Sequence, residues 1–145
     1  MANVQTTRSQ DIARVVLGLF MLLAGVGHLT FQRQEFQAQV PNWVPMGKDN
    51  VVVLSGLVEI SLGLAMLLAR KYRVQTGMVL AVFYVLVFPG NIAQYANGID
   101  AFGLDTDGKR LARLFFQPVL IAWALWSTGA FIYWRTRGKN QLPDQ

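Results

Sequence analysis

Val51-Val52-Val53-Leu54-Ser55-Gly56-Leu57-Val58-Glu59-Ile60-Ser61-Leu62-Gly63-Leu64-Ala65-Met66-Leu67-Leu68-Ala69 decides the fold, because this long apolar run carries a single ionisable group, Glu59. At about 1.5 Å rise per residue a run of that length matches a hydrocarbon core about 30 Å thick. Three further stretches of similar length, Ile12–Thr30, Val74–Ile92 and Leu114–Trp134, flank it. The chain is 53% hydrophobic and only 14% charged, and its apolar stretches lack the polar outer faces that a soluble bundle needs. The expected fold class is therefore all-α, a polytopic membrane four-helix bundle. The expected transmembrane helices are 12–30, 51–69, 74–92 and 114–134, in a single membrane domain over 1–145.

The amino-terminal segment Met1–Asp11 is polar, and no small-residue cleavage pattern follows the first apolar stretch, which reads as a retained helix. Cysteine is absent, which excludes disulfides, thiolate metal sites and dithiol relays within the chain. The net charge of +5 sits at membrane edges and forms no continuous stripe, so the expected partner is membrane lipid and not nucleic acid. Arg8, Arg14, Arg70, Lys71, Arg73, Arg135, Arg137 and Lys139 fall on the side holding both termini; Arg33, Lys48, Lys109, Arg110 and Arg113 fall opposite, among five acids. The positive-inside rule then puts both termini in the cytoplasm.

The connection Gln32–Asn50 carries Val40-Pro41-Asn42-Trp43-Val44-Pro45, whose prolines break any helix around an amphipathic tryptophan, and it is expected to lie back on the membrane surface. Arg70-Lys71-Tyr72-Arg73 joins an antiparallel helix pair, and Gln94–Arg113 holds the turn pairs Asn97-Gly98 and Asp107-Gly108. No internal repeat or low-complexity tract appears. Small residues mark the packed faces: Gly18, Gly25 and His28 on the first helix, Ser55, Gly56, Glu59 and Gly63 on the second.

Threading brings His28, Glu59, Asn91, Gln94, Arg113 and Gln117 to one side, and polar groups in hydrocarbon face a bundle interior or a wet cavity. Glu59 and His28 are the candidate catalytic pair; Asn91, Gln94, Arg113 and Gln117 are the candidate ligand-binding residues. A carboxylate at the depth of Glu59 can accept or relay a proton or hold a cation, or it can fix helix packing through a buried hydrogen bond. Helical rise places Glu59 about 12 Å below the outer start of its helix, with His28, Asn91 and Gln117 near the outer ends, which leaves open both a direct contact with Glu59 and a bridge through the long stem of Arg113. His28, the only histidine, suits proton transfer near neutral pH but equally a structural role. A single histidine without cysteine leaves no closed metal or two-histidine haem site. Phe88-Pro89-Gly90-Asn91 is expected to end the third helix, and Pro118 to sit in the first turn of the fourth. Phe88, Phe102, Phe115, Phe116, Trp123 and Trp126 read as interfacial anchors before they read as a ring-binding pocket.

The succession Ala24-Gly25-Val26-Gly27-His28-Leu29, Val40-Pro41-Asn42-Trp43-Val44-Pro45, Ser55-Gly56-Leu57-Val58-Glu59-Ile60, Phe88-Pro89-Gly90-Asn91, then Arg113, Gln117 and Trp123, resembles the DoxX and DoxX-like membrane proteins over about residues 12–134. The resemblance implies a four-helix protein of the bacterial cytoplasmic (inner) membrane, linked to quinol oxidation and thiosulfate:quinone oxidoreduction. Other relatives are associated with oxidative-stress membrane complexes or the assembly of partner proteins. It carries His28, Glu59, Asn91, Arg113 and Gln117 over as pattern residues. The chain departs from the pattern after Arg113, where Leu114-Phe115-Phe116-Gln117 delay the proline to Pro118 and shift the expected start of the fourth helix.

The expected function is that of an accessory subunit binding a quinone-like or lipidic ligand at the outer side, with no cofactor held within the chain itself beyond such a quinone. It would work with a redox or other membrane protein partner, or as a homo-oligomer. The alternative from another class is a non-enzymatic assembly or scaffolding protein.

Overall fold

A computed structural model describes residues 4–139, all helix and connection, without a strand among them. Residues 1–3 and 140–145, the ends of the domain expected over 1–145, lie outside the described residues, as does the side chain of Lys139. The helices are α1 (Arg8–Leu29), α2 (Arg33–Gln37), α3 (Lys48–Leu68), α4 (Arg73–Ala96), α5 (Asp107–Ser127) and α6 (Ala130–Lys139), with a 3-10 turn over Arg70–Tyr72.

Local chemistry sets the boundaries. Thr7 and Gln10 form a capping box at the start of α1: the Gln10 backbone N–H donates to Thr7 Oγ1 at 3.3 Å and the Thr7 N–H donates to Gln10 Oε1 at 2.9 Å. Thr106 caps α5 by accepting from the Lys109 N–H at 3.3 Å. The fourth apolar stretch, expected as one span over 114–134, is instead α5 followed by α6 at a bend of 65°. Gly129 sits at the break with φ +78°, a left-handed conformation that costs glycine nothing. Thr128, fully buried, returns its hydroxyl to Ala124 O at 2.7 Å.

Two prolines expected at helix ends lie inside helices. α4 runs through Pro89 to Ala96, and α5 begins so early that Pro118 lies in its interior. Each proline denies its helix one backbone hydrogen bond, a loss that neighbouring side chains can repair. Here Gln117 Nε2 donates to Tyr84 O at 2.7 Å, next to the carbonyl of Val85 that Pro89 cannot serve.

α1 and α3 pack antiparallel through glycine. A Cβ added to Gly25 would meet Gly56 O at 2.7 Å, and one added to Gly63 would meet Gly18 O at 2.9 Å, so the two backbones are in contact. α4 and α5 form the second antiparallel pair, and Leu17, Met21, Met66, Leu80, Tyr84, Leu120 and Ala124 make the core between the pairs. Val4 with Ala130, and Thr6 with Arg73, bring both described ends of the chain to the end that holds the 70–72 turn.

The outward faces are apolar: Leu19, Leu23, Val79, Val82, Leu86 and Val119 are all exposed. In water such a surface would drive association, and in lipid it is the solvent-matched side. α1, α3 and the stretch Arg70–Ala96 are long and apolar enough to cross a membrane, and the bent α5–α6 pair makes up to a fourth crossing. The chain has the build of an integral membrane protein.

Candidate functional site

Between the helix ends opposite the 70–72 turn lies a cavity of about 540 Å³. His28, Glu59, Asn91, Arg113 and Gln117 all line it, so five of the six candidates converge. The rest of the wall is chiefly apolar, with Met21, Val52, Tyr84 and Leu120 toward the core. Phe20 and Leu23 of α1 and Leu86 of α4 also line it while standing exposed on the apolar outer surface, so the cavity opens sideways toward that surface.

The centre of the site is the approach of His28 Nδ1 to Glu59 Oε2, at 2.8 Å. Side chains on a helix lean toward its N-terminus, which sends His28 down from the end of α1 and Glu59 up along α3. That opposed lean closes the depth difference that counting residues leaves open, without Arg113 as a bridge. Nδ1 also lies 2.9 Å from Ala24 O. Two oxygen acceptors on one ring nitrogen assign the proton to Nδ1. The Nδ1–H is directed at the Ala24 carbonyl, which leaves the Glu59 carboxylate at contact distance from the ring without a formed hydrogen bond. No protein group among the described residues hydrogen-bonds the Glu59 carboxylate. His28 Nε2 is equally without a protein partner and remains an acceptor.

Gln117 organises the other wall. Its Oε1 accepts from Asn91 Nδ2 at 3.1 Å and Arg113 Nη1 at 3.0 Å, while its amide N–H goes to Tyr84 O. Arg113 has no acid within ion-pair distance among the described residues and no other protein acceptor. One side of the cavity thus holds a carboxylate whose one close polar neighbour is the His28 ring, and the other a guanidinium lacking an anion.

Gln94 is the candidate outside the cavity wall. It is 2% exposed and both ends of its amide are used, Oε1 accepting from Gln39 at 3.0 Å and Nε2 donating to Ile99 O at 3.2 Å. It ties the connections over the helix ends together. Those connections close the cavity, which the reading of 32–50 as a membrane-surface loop did not foresee. Phe36 of α2 stacks on the His28 ring with centroids 3.3 Å apart, and Phe102 meets Phe36 edge-on at 4.7 Å. Phe102 has φ +56°, a conformation costly for a bulky residue, and its backbone N–H is anchored on Glu35 Oε2 at 2.6 Å. Arg33 Nε donates to Asp49 Oδ1 at 2.7 Å, pinning α2 to the start of α3. That pairing holds the Asp49 carboxyl below, and the Arg33 guanidinium above, its ordinary range. Val40, Pro41, Trp43 and Val44 complete the cover. Of the aromatics read from sequence, Phe102 alone reaches the cavity wall; Phe115, Phe116 and Trp126 are exposed.

The model of a family described as a domain of unknown function, DUF8561, matches residues 17–128. The chain belongs to this family. All six candidates and the whole cover over the cavity fall within the matched span, whereas α6 lies beyond it. No curated protein and no solved structure matches the chain.

Proposed function

We propose that the protein binds an amphiphilic, membrane-dissolved ligand, quinone-like or lipidic, in the cavity beneath α2 and Trp43. One observation carries this reading: a carboxylate without hydrogen bonds and an arginine without an anion face a largely apolar cavity that opens toward lipid. Pockets for small apolar molecules are built this way, with an apolar lining and a few convergent polar groups. A ligand hydroxyl donates to Glu59, a ligand carbonyl or phenolate oxygen accepts from Arg113, and the tail leaves past Phe20, Leu23 and Leu86.

The resemblance to DoxX-like proteins favours a quinone, and with it an accessory role in membrane redox chemistry. Oxidising a hydroquinone there releases two protons and two electrons. The Glu59 carboxylate takes one proton and His28 Nε2 the other, and the electrons pass to a partner protein of the redox class. The positive-inside distribution orients both termini to the cytoplasm of a bacterial inner membrane and the cavity to the outer side.

The test is mass spectrometry and absorbance of what copurifies with the wild type and with Glu59→Gln in native lipid particles. A quinone or a single lipid species retained by the wild type and lost by the folded variant is the expected result. Identical bulk lipid in both, with a stoichiometric protein in both, would overturn it in favour of an assembly role.

A further inference from the structure

A second polar centre lies at the opposite end of the helices, and it is short of an anion. Arg14 is 3% exposed, and its Nε and Nη1 are fully enclosed without a hydrogen-bond partner. The nearest carboxylate, Asp11, is shared three ways: Oδ1 lies 4.0 Å from Arg14 Nε and 3.8 Å from Arg73 Nη1, and Oδ2 lies 3.5 Å from Arg70 Nη2. None of these is a hydrogen-bond distance. Asp11 Oδ1 takes its short bond from Thr6 Oγ1 at 2.8 Å, and Thr6 Oγ1 in turn accepts from Arg73 Nη1 at 2.7 Å. Three guanidinium groups therefore surround one carboxylate, and Asp11 is the only acid that the described residues place at this end.

Burying a cation without a hydrogen-bonded counter-charge is expensive, and sharing one acid among three cations leaves most of that cost standing. A phosphate group supplies what is missing: several acceptor oxygens in a geometry that guanidinium forks match. We propose that Arg14, Arg70 and Arg73 form a binding site for a phosphate group, either the headgroup phosphate of a membrane lipid or free phosphate. Arg70, 70% exposed, forms the rim; Arg73, 18% exposed, forms the wall; Arg14 forms the floor. Asp11 occupies part of the same space and opposes the incoming charge. The site is independent of the cavity at the other end.

The opposing role of Asp11 separates this site from a merely structural cluster. The full chain is placed in bilayer discs of a phosphate-free galactolipid alone, of galactolipid with phosphatidylglycerol, or of galactolipid with added inorganic phosphate against chloride at equal ionic strength. The thermal midpoint and the species retained in native mass spectrometry are read for each. The expected result is a rise in midpoint with a phosphate source. Arg70→Gln, at an exposed position that folding tolerates, should weaken binding about tenfold, the loss of one charge-assisted hydrogen bond. Asp11→Asn should tighten it. A rise only with phosphatidylglycerol assigns the headgroup, and a rise with inorganic phosphate assigns the free anion. No rise with either source, or equal rises in wild type and Arg70→Gln, overturns the proposal.

Discussion

The α1–α3 seam and the cavity above it are built by the same two helices and obey opposite rules. Along the seam, Gly18, Gly25, Gly56 and Gly63 leave no room even for a methyl group. One turn beyond Gly25, the same pair of helices carries His28 and Glu59 on the wall of a 540 Å³ space. Rigidity and vacancy are therefore adjacent, and the first holds the second open: helices locked backbone to backbone cannot collapse onto the cavity. Gly56 belongs to both, since a Cβ there would lie 2.7 Å from His28 Cβ and 3.0 Å from Gly25 O.

The comparison breaks most severely at Gly25→Leu, which drives a branched side chain into the Gly56 carbonyl and Ile60. Overpacking of this kind costs about 3 kcal/mol or more, and the folded fraction in detergent should fall accordingly by size exclusion and thermal melt. Gly56→Ala is gentler, about 1–2 kcal/mol, but it pushes His28 away from Glu59, so ligand retention should fall out of proportion to stability. Glu59→Gln should do the reverse: the midpoint moves by no more than about 1 kcal/mol equivalent, because no hydrogen bond to the carboxylate is lost, while retained ligand drops about tenfold. Arg113→Gln relieves an unpaired charge, so stability should hold or rise as ligand is lost; a melt and a retention assay on one sample check both. The smallest effect concerns the cover. The Asp49 carboxyl is held below its ordinary range by Arg33, so its pairing is complete above about pH 4 and is lost only as pH falls through the lowered value. Trp43 fluorescence should therefore be flat from pH 8 to about 5 and change in stronger acid, and Asp49→Asn should remove that acid-dependent change.

The seam was legible in the sequence because glycine at helical spacing in an apolar run has few other uses. The charged part of the site was legible for a related reason: Glu59, His28 and Arg113 are conspicuous in hydrocarbon-length segments. What escaped was geometry that depends on direction and on loops. The His28–Glu59 contact follows from the lean of the side chains and not from residue depth. Gln94, placed with the ligand-binding set, is drawn into loop closure because α4 continues past Pro89 and presents it to Gln39. The stacking of Phe36 on His28 needs α2, a five-residue helix in a connection whose prolines suggested only a loop. The break at Gly129 was hidden inside an apolar stretch that hydropathy reads as continuous.

That break has a consequence for the surrounding bilayer. The uncharged part of α5, from Leu114 to Ser127, rises only about 21 Å before the chain turns away by 65°, against a hydrocarbon thickness of about 30 Å. On this flank the protein is too short for its solvent, while α1, α3 and α4 are not. In a hydrocarbon layer of that thickness, lipids beside α5 would have to shorten or tilt to meet it, a mismatch that costs a fraction of a kcal/mol per ångström.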